Sequence, residues 1–285
     1  MTNLKPILVI GATGHVGGAV VNRLVELGVP VRALSRRPAA VDLPGSVSVV
    51  PGDLLEPATL RSAVRGVDAV FLVWPFSDGE AAGRIIDVLS DGPRRLVLLS
   101  TAAVRDDLEE QDNPIGEAHA PVEQAIRRSG LEWTFLRPFG FATNTLNWAS
   151  QIRADGVVRG AFGAAAATLI HERDIADVAV AALTEPGHAG RSHLLSGSEP
   201  LTQIEQLRLI GAAIGRELRW EEVTRDEARQ RLSVWLPARF IDVMIDGLEQ
   251  SVQSPIPALP TVQEITGRPP RSFRQWAADH AADFR

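Results

Sequence analysis

The chain contains neither cysteine nor tyrosine among its 285 residues. The absence of cysteine excludes disulfides, thiolate nucleophiles and cysteine-based metal sites, and it decides nothing about the compartment. The absence of tyrosine excludes a phenol as a proton donor, so any acid in a catalytic site must be another group.

The chain also lacks long apolar runs and an excess of basic residues. No run approaches the roughly 20 apolar residues of a membrane span, and residues 1–6 have no signal-peptide core. The formal net charge of −6, without a basic stripe, argues against nucleic acid as the main partner. We therefore expect a cytoplasmic globular protein, monomeric or homodimeric, that acts on a small molecule and has no membrane partner and no metal site.

A glycine-rich turn near the start is the first motif that is present. It follows the apolar run 7–10 and precedes a helical pattern over about 15–27. Gly11 allows the tight turn, Gly14 lets the backbone approach a pyrophosphate, and Gly17 lets the helix pack closely on the strand. The helix N-terminus offers free N–H groups to the phosphates. The motif predicts a dinucleotide site with contacts from Gly11, Thr13, Gly14, His15, Val16 and Gly17.

The end of the second predicted strand, Val29–Leu34, indicates which dinucleotide is bound. NAD enzymes usually carry an acidic residue near this point, and here no acid appears before Asp42. The segment Ser35–Arg37 offers two arginines that can pair with a 2′-phosphate. This favours NADP(H) over NAD(H), with Ser35, Arg36 and Arg37 as contacts. The alternative is that both arginines are solvated loop residues.

Apolar strands alternate with helical stretches through the first half, which predicts an α/β fold with a doubly wound parallel sheet. The further predicted strands are Ser46–Val50, Ala69–Val73, Arg95–Leu99, Trp133–Arg137 and Ser192–Leu195. Ligands of such sheets bind at the carboxyl ends of the strands. We therefore predict cofactor contacts from the residues at these ends, with Asp53 facing the adenine. For Trp74, the alternative is that its ring only packs in the core and does not contact the cofactor. The contacts are Asp53, Leu54, Val73, Trp74, Ser100 and Pro138.

The alternation weakens after Pro138, and residues 138–168 have no regular pattern. Thr202 and Glu205 form a capping box before a helix to Ile214, and later helices are predicted at 225–232, 237–252 and 273–284. We predict a dinucleotide-binding domain of residues 1–137 and about 169–200, and a smaller substrate domain of 138–168 and 201–285. The predicted substrate pocket comprises Thr101, Phe139, Phe141, Asn144 and Trp148. Trp235 and Phe240 are further candidates, although core packing also explains such aromatic residues.

Five stretches in the expected order resemble the NmrA-like, atypical short-chain dehydrogenase/reductase family. They are GATGHVG (11–17), GDL (52–54), SGLEWTFLRP (129–138), RDIADVA (173–179) and ITGRPP (265–270). The resemblance implies a Rossmann domain, NADP(H) binding and a small C-terminal substrate domain. Members of the family include quinone and isoflavone-type reductases, and also regulators that bind the dinucleotide without turning it over.

The chain departs from the family at the catalytic pair. Standard members have a tyrosine and, four positions later, a lysine; the corresponding positions here are Ile115 and His119. His119 can bond the nicotinamide ribose or protonate a substrate, since its ordinary pKa is about 6.5. The alternative is a surface histidine on a helix.

The missing acid points to the class of substrate. Reduction of a simple ketone makes an alkoxide, and loss of its proton donor costs about 10²–10⁴-fold. A quinone-like or conjugated aromatic acceptor makes a delocalised anion that needs less help. We expect an NADPH-dependent reductase of such an electron-poor molecule. The alternatives are an NADP(H)-binding regulator without catalysis, or a non-redox isomerase or cyclase that retains the nucleotide fold.

Overall fold

A computed structural model describes residues 5–234 and 236–285. The strands are β1 (Ile7–Ile10), β2 (Val31–Ser35), β3 (Ser48–Pro51), β4 (Ala69–Val73), β5 (Arg95–Leu99), β6 (Glu132–Pro138), β7 (Val157–Gly160), β8 (Ala166–Ala167), β9 (Arg191–Leu195), β10 (Leu201–Thr202) and β11 (Arg219–Glu222). The helices are α1 (His15–Glu26), α2 (Pro57–Val64), α3 (Ala82–Leu89), α4 (Pro114–Arg128), α5 (Ala149–Asp155), α6 (Glu172–Thr184), α7 (Gln203–Ile214), α8 (Arg225–Leu232), α9 (Ala238–Gln253), α10 (Thr261–Thr266) and α11 (Phe273–Asp279). Short 3₁₀ segments cover Pro38–Ala40, Ala142–Trp148 and Ala281–Phe284.

The described chain divides into two compact units. Unit 1 consists of the chain up to Pro138 together with Glu172–Leu195. Unit 2 consists of Phe139–His171 and Ser196–Arg285. The assignment of cofactor binding to one part of the chain and substrate binding to the other stays a prediction.

Unit 1 is a seven-stranded parallel sheet in the order β3-β2-β1-β4-β5-β6-β9. Strands β1 and β5 are buried along their whole length, as expected when helices cover both faces of a parallel sheet. Helix α1 lies against α6, and α3 lies between α2 and α4. The predicted doubly wound α/β fold is confirmed.

Unit 2 packs around the fully buried Trp276, with Phe273, Phe284, Leu207 and Ile210 among its neighbours in the core cluster. Its strands form two small pairs, β7 with β11 in parallel and β8 with β10 antiparallel.

The predicted capping box of Thr202 and Glu205 is present at the start of α7, which ends at Ile214 before Gly215 in the left-handed conformation. The segment 138–168, which shows no regular pattern in the sequence, contains α5, β7 and β8. Strands of two to four residues are too short to show a period in the sequence. No helix in the described ranges has the length and apolar character needed to cross a bilayer.

Candidate functional site

The carboxyl ends of the parallel strands bring the predicted cofactor residues to one edge of unit 1. Gly11 follows β1, Ser35 ends β2, Val73 ends β4, Ser100 follows β5 and Pro138 ends β6. The strand order reverses at β1, which lies between β2 and β4. Ligands of doubly wound sheets bind at such a reversal, so this edge is the candidate site.

The three glycines of the turn after β1 meet different neighbours. Gly11 has φ +90°, and a Cβ there would lie 2.8 Å from Cβ of Val73. A Cβ on Gly17 would lie 2.1 Å from the carbonyl oxygen of Gly11, whereas one on Gly14 would meet only that oxygen, at 3.4 Å. The fold itself therefore requires Gly11 and Gly17. Gly14 is exposed, and the space beside it is what a closely approaching pyrophosphate needs.

The N-terminus of α1 supports the same interpretation. Gly14 is its N-cap, no side chain caps it, and the first turn contains no acidic residue. Thr13 and His15 are exposed, while the side chain of Val16 is buried, so Val16 offers only its backbone N–H. Free N–H groups and the helix dipole favour an anion at this position. The turn thus fits the pyrophosphate of a dinucleotide.

The residues predicted to face the adenosine lie after β2 and β3. Arg36 and Arg37 are exposed, and across the described ranges neither guanidinium has an ion-pair or hydrogen-bond partner. Ser35 Oγ accepts the Arg37 N–H at 3.1 Å. One carboxylate oxygen of Asp53 accepts the Leu55 N–H at 3.0 Å, which leaves the other oxygen available. The side chain of Leu54 is buried in the core cluster of unit 1, so Leu54 offers only backbone atoms.

Trp74 packs in the core after β4. Its indole N–H donates to the carbonyl oxygen of Asp78 at 2.8 Å, and its ring meets Phe76 edge-on at 4.9 Å. The ring is almost completely buried within unit 1. The packing alternative for this aromatic residue therefore accounts for its ring.

A buried charged network, not predicted from the sequence, lies beside Ser100. The Ser100 hydroxyl donates to Oε1 of Glu123 at 2.6 Å, and Glu123 is completely buried. Arg137 binds both oxygens of Glu123, at 3.0 and 2.5 Å, and both oxygens of Asp106, at 2.7 and 2.9 Å. The hydrogen bond from Arg137 is the main reason that the pKa of Asp106 is lowered to about 2. Both oxygens of Glu123 accept hydrogen bonds from Arg137, so the Ser100 hydroxyl is the donor in its own bond and its hydrogen is committed to Glu123.

Thr101 has the opposite hydrogen-bonding arrangement. Its Oγ1 accepts the Ala103 N–H at 3.1 Å, and no described group accepts its own hydroxyl hydrogen. Ser100 can therefore serve a ligand only as an acceptor, while Thr101 retains a donor.

His119 lies on α4, one turn before Glu123. Its Nδ1 is 2.9 Å from the carbonyl oxygen of Ile115, and since a carbonyl only accepts, Nδ1 carries the hydrogen. Burial lowers the pKa of His119 below 6.5 despite this bond and the charge of Glu123. At pH 7 the imidazole is neutral, and Nε2 is an acceptor without a proton to donate.

Three predicted pocket residues lie at the start of unit 2. Phe139 is 38% exposed, Phe141 bridges to Ile170 through the backbone, and Asn144 is exposed within a 3₁₀ segment. Their contact with a substrate stays a prediction.

The other aromatic candidates of unit 2 have partners of their own. Trp148 meets the ring of Trp220 edge-on at 5.8 Å. The guanidinium of Arg239 lies 4.9 Å from the ring centre of Phe240. Trp235 lies outside the described residues.

Comparison with known proteins identifies the family. A family model described as NAD(P)H-binding matches residues 11–186, which is more than half of the chain. The chain belongs to this family. It is also 44% identical, over 98% of its length and 99% of the relative, to (4-alkanoyl-5-oxo-2,5-dihydrofuran-3-yl)methyl phosphate reductase of Streptomyces griseus. Identity to the NAD(P)H azoreductase of Xenophilus azovorans is 35%, over 98% of this chain and 99% of that one.

Solved structures agree on the fold. The triphenylmethane reductase of Citrobacter sp. superposes with a TM-score of 0.79 and 22% identity, covering 97% of this chain and 99% of that one. The predicted NmrA-like, atypical short-chain dehydrogenase/reductase type and the NAD(P)H cofactor are confirmed. The chain is an NAD(P)H-dependent oxidoreductase.

Proposed function

We propose that this protein uses NADP(H) to reduce a small, electron-poor, conjugated acceptor whose reduced form is a delocalised anion. The observation that carries the proposal is that neither Ser100 nor His119, as the structure describes them, has a hydrogen free to donate to a substrate. The sequence has no tyrosine, His119 is neutral with its hydrogen committed to Ile115, and the Ser100 hydrogen is committed to Glu123. A substrate that stabilises its own charge suits such a site.

The names of two relatives agree with this class of acceptor. One contains a dihydrofuran ring whose double bond is conjugated with a lactone carbonyl and an alkanoyl carbonyl. The other is an azoreductase, and an azo compound carries an N=N bond between two substituents. In the dihydrofuran, the electron pair that arrives with the hydride spreads onto both carbonyl oxygens. A simple ketone keeps the charge on its one oxygen and depends on an acid.

The residues of unit 1 have the following proposed roles. The turn 11–17 and the N-terminus of α1 bind the pyrophosphate, and Arg36 or Arg37 binds the 2′-phosphate that distinguishes NADP(H). His119 Nε2 accepts a hydrogen bond from the nicotinamide ribose. The Thr101 hydroxyl donates to the substrate atom that gains negative charge. When bound, NAD(P)H supplies the hydride.

The test compares the rates at which the protein reduces different acceptors. Each rate is measured as the loss of NADPH absorbance. We expect turnover with 1,4-naphthoquinone and with an azo dye, and turnover about 10²-fold slower or worse with cyclohexanone. Thr101→Ala should lower kcat for the quinone by about tenfold, while Thr101→Ser, which keeps the hydroxyl, should retain most of the activity. Equal rates with the ketone would contradict the proposed acceptor class. Tight NADPH binding without any turnover would favour the regulator.

A further inference from the structure

Two histidines of unit 1 meet at the edge of the sheet. His188 lies in the turn before β9, and His193 lies within β9, which ends the strand order. Nδ1 of His188 is 3.3 Å from Nε2 of His193, and the two ring planes are inclined at 72°. This separation is longer than that of a typical hydrogen bond from nitrogen. A shared hydrogen therefore joins the two rings only weakly.

The backbone holds both histidines in position. The carbonyl oxygen of His188 accepts the hydroxyl hydrogen of Thr134 at 2.9 Å and the N–H of Arg191 at 3.2 Å. Thr134 is completely buried in β6, and His193 is paired with Leu136 of the same strand. The two imidazoles are therefore presented by a fixed turn and a strand, as a preorganised metal site requires.

The separation of the two nitrogens fits two ligands of one tetrahedral ion. Bonds of about 2.0–2.1 Å from Zn²⁺ to histidine nitrogens, at the tetrahedral angle, place those nitrogens about 3.3–3.4 Å apart. A square-planar ion with bonds of the same length would need about 2.8–3.0 Å. Each imidazole can turn a lone pair toward the ion by carrying its hydrogen on the other ring nitrogen. The distance therefore favours a tetrahedral ion such as Zn²⁺.

Both imidazoles are neutral at pH 7, as metal ligands must be. Burial lowers the pKa of His193 to about 4, and the charges of His188 and Arg191 add to this effect. Burial also lowers the pKa of His188; Glu185 opposes that shift, whereas Arg95 and Arg191 add to it. Protons therefore compete little with a cation at neutral pH. Of the charged groups that act on the pair, Glu185 attracts a cation and the two arginines repel it.

We propose that His188 and His193 form a binding site for a divalent transition-metal ion, with Zn²⁺ as the ion that the geometry fits. Both rings are half-buried, so the facing nitrogens are open to solvent on one side. Within residues 5–234 and 236–285, no group of three or more histidine, aspartate or glutamate side chains is placed to hold a metal, so water completes the coordination.

The proposed zinc site is independent of the proposed function. His188 lies where β9 begins, whereas the candidate cofactor residues lie at the carboxyl ends of the strands. A bound ion at this position joins β9 to the turn that precedes it, and its role is to stabilise the edge of the sheet. The inference differs from the expectation of no metal site drawn from the sequence.

The experiment is calorimetric titration of the untagged protein with ZnCl₂, after EDTA treatment and removal of the chelator. Wild type should bind one Zn²⁺ per chain at this site. His188→Gln and His193→Gln, which keep a polar side chain but remove the imidazole, should each raise the Kd for Zn²⁺ by about tenfold or more. His15→Gln changes an exposed histidine outside the pair; it is the control and should leave the Kd unchanged. Excess MgCl₂ should not displace zinc, because Mg²⁺ prefers oxygen ligands.

A charge variant tests the site with both histidines in place. Arg191→Gln should lower the Kd for Zn²⁺ by several-fold, because it removes a positive charge that acts on both imidazoles. Glu185→Gln should raise the Kd by several-fold for the opposite reason. These two variants report on the pair even where a histidine variant folds poorly.

Thermal unfolding completes the test. Zn²⁺ at about a hundredfold its Kd should raise the Tm of wild type by about 4 °C and should raise that of the two histidine variants less. With EDTA present, the variants should melt near wild type. If either histidine variant binds Zn²⁺ as wild type does, or if His15→Gln loses the ion, zinc binds elsewhere and the inference is wrong. It is also wrong if wild type has no zinc site with a Kd below about 1 mM. Neither result bears on the proposed reductase activity.

Discussion

Gly14 and Gly17 lie three positions apart in one turn, yet glycine is needed at the two positions for different reasons: cofactor binding at Gly14 and packing of the fold at Gly17. A methyl group at position 17 would overlap the backbone of Gly11, whereas one at position 14 finds ordinary contact distance. We expect Gly17→Ala to lower the free energy of unfolding by about 3 kcal/mol, because backbone must move. Gly14→Ala should leave unfolding nearly unchanged and raise the Kd for NADPH by about tenfold or more. Urea unfolding and calorimetric titration measure the two effects.

The two glycine variants control for each other, because both add one methyl group to the same turn. A Gly14→Ala protein that binds NADPH as wild type does would remove the pyrophosphate from this turn. A Gly17→Ala protein of wild-type stability would contradict the close packing of α1 on β1.

His119 is expected to orient the ribose and not to donate a proton. With its pKa below 6.5, kcat should show no histidine ionisation between about pH 7 and 8. His119→Ala should raise the KM for NADPH by several-fold and lower kcat by less than about tenfold. His119→Gln, which keeps an acceptor, should recover part of the affinity. A loss in kcat of about 10²-fold at unchanged NADPH KM would instead identify a proton donor.

The ion pairs of Asp106 fix the segment between β5 and α4. Because these pairs need an ionised carboxylate, the free energy of unfolding should depend on pH. Arg137 and Arg127 both bind Asp106 and lower its pKa from 3.8 to about 2. A lowered carboxyl pKa stabilises the folded chain above the unfolded value, and this stabilisation is lost as pH falls from about 4 to 2.

Asp106→Asn should lower the free energy of unfolding at pH 7 by about 1 kcal/mol or less, since the carboxylate is half exposed and screened by solvent. The difference from wild type should be largely lost by pH 2 and absent below it. Urea unfolding across that pH range measures the difference. Asp107→Asn is the control and should change the free energy of unfolding less, because Asp107 pairs with the exposed Arg105. A difference that persists at pH 2 would mean that packing, not charge, is lost.

The sequence predicted whole elements better than the interactions between them. Strands β4 and β5 were predicted with their observed bounds, because each contains at least four consecutive apolar residues and is followed by a turn. Glu123 gave no such signal: a glutamate in a helix usually faces solvent, and its burial depends on Arg137 in the next strand. Phe162, in the loop between β7 and β8, has a left-handed backbone with φ +58°; this was equally hidden, since a phenylalanine carries no local preference for it.

At the scale of the whole molecule, the two units differed in how far their structure could be predicted. Unit 1 repeats one unit of strand and helix, so a few long patterns define its topology. Unit 2 contains short strands, and its core around Trp276 draws on α7, α11 and the last 3₁₀ segment. Contacts so distant in sequence leave no periodic pattern, and the roles assigned to its aromatic residues remain predictions.

The choice between NADP(H) and NAD(H) should appear in the stability of the whole protein, with no need for turnover. A ligand at about a hundredfold its Kd stabilises the folded state by about 2.7 kcal/mol, which for a chain of this length raises Tm by about 4 °C. We expect that shift with NADPH, and a smaller one with NADH at the same concentration, because NADH lacks the 2′-phosphate. Arg36→Ala should reduce the NADPH shift to the NADH value and leave the NADH shift unchanged. Arg37→Ala is the matched control one position along the chain: if only this variant reduces the NADPH shift, Arg37 binds the phosphate. Equal shifts with both dinucleotides in wild type would contradict the NADP(H) preference.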